Sequence, residues 1–144
     1  MALSTIFDVA GSGMNAQSLR LNTTASNIAN AESASSSSDK VYRGRHPVFQ
    51  SVMLDSMNNG AGSLDGGSAT GVKVTGIVED QSPLQMRYEP EHPEANEDGY
   101  VYYPNVNVVE EMTNMISASR SFQMNVEVMN SAKQMVQRVL SLGQ

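Results

Sequence analysis

The chain has 144 residues, 40% hydrophobic and 6% aromatic, and 15 acidic against 9 basic side chains leave it with a net charge of -6. That is one domain's worth of sequence with material for only a thin or elongated core. The acidic balance excludes nucleic acid as a partner, because neutralising a phosphate backbone needs a basic face. With no cysteine, disulfides, thiolate metal sites and cysteine nucleophiles are excluded together.

The first predicted element runs over residues 1–31. In alternating steps of four and three, Leu3, Phe7, Ala10, Met14, Gln17, Leu21, Thr24, Ile28 and Ala31 form a line that is apolar except at Gln17 and Thr24. Such a heptad seam lets a helix bury one stripe against another helix. Gly11 and Gly13 weaken it by roughly 1 kcal/mol each relative to alanine. Asp8 and Arg20 are the only charges between residues 3 and 31. A helix so poor in charge is expected to be surrounded by other helices in its working state. The opening sequence has neither the basic region nor the apolar run of a cleaved signal peptide, and no stretch reaches the ~18 apolar residues of a membrane span.

Residues 32–104 change character. "GVKVTGIVE" (71–79) and "PLQMRYE" (83–89) alternate apolar and polar residues and are predicted to be half-buried strands, the second with Leu84, Met86 and Tyr88 inward; "HPVFQSVML" (46–54) is a third candidate. The low-complexity stretches "SASSSSD" (33–39) and "NNGAGSLDGGSATG" (58–71) are expected to be flexible connectors. Glu89, Glu91, Glu94, Glu97 and Asp98 make an acidic loop ahead of Tyr100.

The last predicted element occupies residues 105–144. Asn107 followed by Glu110 reads as an N-cap with a reciprocal contact. Glu110 and Glu111 lie at the positive end of the helix dipole, and Lys133 and Arg138 toward the negative end. The heptad steps return at Val108, Met112, Met115, Ser119, Phe122, Val126, Met129, Lys133, Val136 and Leu140. At ~1.5 Å per residue the two helices are about 44 and 50 Å long, so each is a fitting partner for the other. The expected fold class is therefore α+β, with long terminal helices pairing as a coiled-coil-like domain around a small β-rich middle.

Little in the sequence points to chemistry. The carboxylates around His92 in "EPEHPE" (89–94) are interrupted by two prolines, which preclude the i, i+4 spacing of a helix-borne metal site, so a solvated loop is the better reading. The glycine-rich stretch lacks the phosphate-cradle motif. No catalytic, cofactor or metal residue is assigned. The methionine-rich stripe "SFQMNVEVMNSAKQMV" (121–136) reads as closed core, peptide groove or adaptable packing surface. An intermolecular surface is favoured, because the long helices exceed what a polar middle can cover.

"LNTTASNIANAES" (21–33), with Asn27, Ala29 and Asn30, resembles the asparagine-rich motif of the axial proteins of the bacterial flagellum, the rod and hook family. "YRGRHPVF" (42–49) resembles the segment that follows it, although "SASSSSDK" intervenes where many relatives have a compact threonine-proline-glycine turn. Residues 99–143, which begin "GYVYYPNVNVVEEM" and contain Pro104 and Asn105, resemble the family's C-terminal region more closely, and the short length suits a proximal rod member. The resemblance implies a structural subunit in the periplasmic basal body, exported by the flagellar type III apparatus without signal cleavage. The implied partners are copies of itself, other rod proteins, and the ring and junction proteins at the rod's base. The assembly residues expected are the apolar seam positions Leu3, Phe7, Ala10, Met14, Leu21, Ile28, Val108, Met112, Met115, Phe122, Val126, Met129, Val136 and Leu140. An alternative is a helical hairpin that captures an amphipathic partner helix.

Overall fold

The computed structural model describes residues 2–54 and 69–142, without the side chains of residues 2, 3, 53, 54 and 69. The elements in chain order are helix α1 (Ala2–Ala29), strands β1 (Arg45–Leu54), β2 (Ala69–Glu79), β3 (Gln85–Tyr88) and β4 (Tyr100–Tyr103), and helix α2 (Val108–Leu142). This is the expected α+β class, two long terminal helices around a small β middle. The glycine-rich stretch expected to be a connector lies outside the described residues from 58 to 68, and its last three residues open β2.

α1 contains no proline and ends without a glycine cap. Its chain tightens instead, with Asn30 N donating to Ser26 O at 3.1 Å and Ala31 N to Ile28 O at 3.2 Å. α2 starts where its sequence signal places it: Asn107 Oδ1 accepts the amide hydrogens of Val109 at 3.1 Å and Glu110 at 3.5 Å. Glu110 does not return the contact among the described hydrogen bonds, so a simple N-cap stands where a capping box was expected. Lys133 and Arg138 precede a last turn with no basic residue.

The helices run antiparallel. Gly13 of α1 lies against Asn125 of α2, Arg20 Nη2 donates to Asn114 Oδ1 at 2.9 Å, and Asn27 Nδ2 donates to Glu111 Oε2 at 3.1 Å. Rising numbers on one helix thus meet falling numbers on the other. The buried line of α2 is Glu111, Ala118 and Ala132, with half-buried Asn125 in the same heptad register; on α1 it includes Ala10, Ala16, Thr23, Thr24 and Asn27. Small and polar residues therefore occupy the centre of the contact. A Cβ added at Gly13 would lie 2.8 Å from Asn125 Nδ2, so the absence of a side chain there is what lets the backbones approach.

The strands form two separate antiparallel ribbons, β1 with β2 and β3 with β4. The first pairs Arg45 with Glu79 and continues to Leu54 with Ala69, with a bulge after Val48. It lies along α1, where Val72 N donates to Ser12 Oγ at 3.1 Å. The second pairs Gln85 with Tyr103 and Tyr88 with Tyr100. β4, which contains fully buried Val101, has no counterpart in the sequence reading. Tyr102 also exchanges both main-chain hydrogen bonds with Ser35 at 3.0 Å, so the serine-rich segment expected to be a free connector is tied to the sheet. All four residues of β3 are exposed, against the expected half-burial of Met86 and Tyr88. The inward face of that ribbon is supplied by β4, and the pairing register turns Met86 and Tyr88 the other way.

Candidate assembly interface

At one end of the helical pair, the chain passes from α1 to β1 through a polar junction. Asn27, 1% exposed, is at its centre. Its Nδ2 donates to Arg45 O at 2.8 Å and to Glu111 Oε2 at 3.1 Å; its Oδ1 accepts from Arg45 N at 2.9 Å and from Tyr42 Oη at 2.8 Å. One amide thus mimics a strand edge toward Arg45 and also joins α1 to α2. Each donor and acceptor is used, which is the condition for burying an amide without loss. Burial is the main cause raising the Tyr42 hydroxyl above its ordinary value, partly opposed by the charge of Arg45. The Arg45 guanidinium lies 5.4 Å from the Tyr42 ring centre and 3.0 Å from Glu79 Oε1, a half-exposed ion pair that contributes little.

Asn105 performs the matching role from the other side. Its Oδ1 accepts Gly44 N at 2.9 Å, and its Nδ2 donates to Asp80 O at 3.1 Å, Ser82 O at 3.2 Å and Ser82 Oγ at 2.9 Å. Arg43 Nη1 reaches the same two carbonyls at 3.3 Å, and Asp80 N donates to Gly44 O at 2.7 Å. The Asp80 carboxylate accepts Ser82 N at 2.8 Å, and this hydrogen bond is the first cause holding its pKa below the ordinary carboxylate value. Pro104 is fully buried beside this junction. Asn30 closes α1 by donating Nδ2 to Ser26 O at 2.8 Å, whereas Ala29 is exposed. The motif asparagines thus have a physical role that composition alone did not show.

The apolar seam positions divide. Ala10 is buried; Phe7, Met14, Leu21 and Ile28 on α1, and Val108, Met115, Phe122, Val126, Met129 and Val136 on α2, are half-buried; Met112 and Leu140 are exposed; the side chain of Leu3 is outside the described residues. Large apolar residues flank the contact line because the small ones at its centre draw the backbones together. Among the polar residues on the outer surface of α2, several large apolar side chains stand open, with Val109 73%, Ile116 57% and Met124 67% exposed. Between the far halves of the helices, Thr5, Ile6, Val9, Ala10, Asn125 and Val128 line an open apolar groove of about 390 Å³.

The acidic loop is held by its own main chain. Asn96 Oδ1 accepts Asp98 N at 3.0 Å and Tyr100 N at 2.8 Å, and His92 Nδ1 accepts Glu94 N at 3.1 Å. Gly99 adopts φ +80°, where a Cβ would also meet Tyr88 Cε2 at 2.9 Å. No group of three or more His, Asp or Glu side chains among the described residues is placed to hold a metal ion, and no helix among them is long and apolar enough to cross a membrane.

Paired terminal helices that leave large apolar side chains exposed, locked at one end by an asparagine junction, are the build of a subunit of an assembly. The family profile "Flagella basal body rod protein" matches residues 7–32, and "Flagellar basal body rod FlgEFG protein C-terminal" matches residues 97–142. The chain is 49% identical to the flagellar basal-body rod protein FlgC of Escherichia coli O157:H7 and 46% identical to that of Salmonella typhimurium, each over 144 residues and all of both chains. It is 38% identical to the FlgC of Borreliella burgdorferi over 151 residues, covering all of this chain and 99% of the relative. The chain belongs to the FlgC family of flagellar basal-body rod proteins.

Proposed function

We propose that the chain is a non-enzymatic subunit of the proximal rod, assembling through its terminal helices with copies of itself and with other rod proteins in the periplasmic part of the basal body. It reaches that place through the flagellar type III apparatus without losing a signal peptide. The observation that carries this reading is the run of large apolar side chains on α2, Val109, Met112 and Ile116 near its start and Met135, Val139 and Leu142 near its end, that the chain's own residues leave exposed. Exposed at i, i+3 and i+4 spacing, such side chains are neighbours on the helix surface, and grouped apolar exposure marks a contact surface.

The test uses Met112→Asp together with Leu140→Asp, which change two exposed seam positions without touching the contact between the helices. Swimming should be lost and basal bodies should stop short at the rod, while the chain is still exported. Normal swimming with both substitutions would overturn the reading. The groove beside Ile6 and Val128 supports a second reading, a helical hairpin that captures one amphipathic partner helix. Saturable binding of a single soluble peptide by the purified monomer would favour it.

A further inference from the structure

The β3–β4 ribbon has one closed face and one open face. Val101 and Tyr103 are buried, and Arg87 stacks over the Tyr103 ring at 4.5 Å. The register pairs Met86 with Tyr102 and Tyr88 with Tyr100, and side chains alternate along a strand, so these four share the opposite face. Met86 is 56% and Tyr88 65% exposed. The Tyr88 and Tyr100 rings meet edge to face at 5.2 Å, which fixes the patch before any partner arrives. Directly beyond it, residues 89–98 carry five carboxylates and no Lys or Arg.

A second surface has the opposite character. On α2, positions 120, 124, 127, 131, 135, 138 and 142 follow one another in steps of three and four and are all exposed, on a different face from the buried Ala118 and Ala132. This stripe offers Arg120, Met124, Met135, Arg138 and Leu142, with Glu127 as its one acid. An aromatic, acid-rimmed patch and an apolar stripe with two guanidiniums are complementary in charge and in hydrophobicity. They cannot meet within one chain: β4 leads directly into α2, and at 1.5 Å per residue the middle of the stripe stands about 35 Å along that helix.

We propose that the β3–β4 ribbon of one copy docks on the Arg120–Leu142 stripe of a second copy. The proposal rests on the rod reading and names which surface receives which. Because the two surfaces differ, the contact is head to tail, and its repetition generates an open helical array or a ring. A four-residue ribbon covers less than a standard interface, so a single contact is weak and repeated contacts per subunit hold the array. Charge pairs at its rim make it sensitive to salt.

The absence of native cysteine gives a direct test. In cells lacking the native chain, a variant carrying both Tyr88→Cys and Met135→Cys should form a ladder of disulfide-linked multimers on mild oxidation, and each single variant should form none. In parallel, reversing Glu91, Glu94 and Glu97 to lysine, or Arg120 and Arg138 to glutamate, should each reduce swimming at least about tenfold. The two reversals combined should restore swimming to within about twofold of the native chain. A missing ladder, symmetric dimers from a single-cysteine variant, full swimming in either reversal, or no restoration in the combination would each overturn the docking proposal. The rod reading has a separate readout, since the native chain must restore swimming to cells that lack it.

Discussion

The two ends of the helical pair are built on different principles. Where residues 20–31 meet 105–118, buried polar groups set the geometry: Asn27 and Asn105 hydrogen-bond through both ends of their amides to backbone, hydroxyl and carboxylate partners in three chain segments, 42–45, 80–82 and Glu111. Where residues 4–14 meet 125–142, the contact depends on Gly13, Ala10 and Ala132, and apolar side chains are left open on both helices. Hydrogen bonds are directional and cost free energy when unmade, so the junction end specifies one arrangement of helices and ribbon. Apolar contact is non-directional, so the far end can take its final arrangement from neighbouring subunits.

The largest break in this contrast is expected from Asn27→Ala. It leaves Arg45 N, Arg45 O, Tyr42 Oη and Glu111 Oε2 without their partner, and each buried polar group left unsatisfied costs about 1–3 kcal/mol before water refills the site. A stability loss of about 3 kcal/mol should appear as a lower urea midpoint. Hydrogen-exchange protection should fall first at the start of β1, where that amide ties Arg45 to α1.

Asn105→Ala should cost about 2 kcal/mol by the same measurement, since Asn105 is half-buried where Asn27 is fully buried, and water refills its place more readily. At the far end, two neighbouring glycines should respond with opposite sign. A Cβ at Gly11 meets nothing within 4 Å, so Gly11→Ala should stabilise by about 0.5–1 kcal/mol through helix propensity. Gly13→Val places atoms against Asn125 and should destabilise by about 1–2 kcal/mol. Equal responses would show that the helices do not approach there.

The smallest effect concerns Asp80. Its folded pKa is lowered, chiefly by the hydrogen bond from Ser82 N, so the stabilisation it gives is complete above the ordinary carboxylate value near ~4 and is lost as pH falls through the folded value. Asp80→Asn should therefore be less stable than the native chain at neutral pH, with the difference shrinking as the solution is acidified. A constant difference across pH would remove the carboxylate from the account.

Much of the architecture was legible because periodicity and end signals are local. The heptad steps located both helices, Asn107 marked the start of α2, the alternation in residues 71–79 located β2, and the third candidate stretch, 46–54, became β1. β4 was missed although "YVYY" is rich in strand-forming residues, because it is short and adjoins the helix cap. The half-burial expected of "PLQMRYE" did not hold over β3, because alternation shows that a strand has two faces without showing whether anything covers either of them. The asparagine motif was legible only as a resemblance, since the partners of Asn27 lie 15, 18 and 84 residues away along the chain.

The amino-acid sequence by itself determined the elements and the family, because spacing, capping and motif are properties of neighbouring residues. Only the tertiary structure decided which helical stripe is buried. The heptad count follows large apolar residues, while the contact follows the small ones that let two backbones close, and that preference exists only once a second helix is in place. The same packing sends Met86 and Tyr88 outward and leaves the Arg120–Leu142 stripe open, so the surfaces available to other subunits are set by how the chain first covers itself.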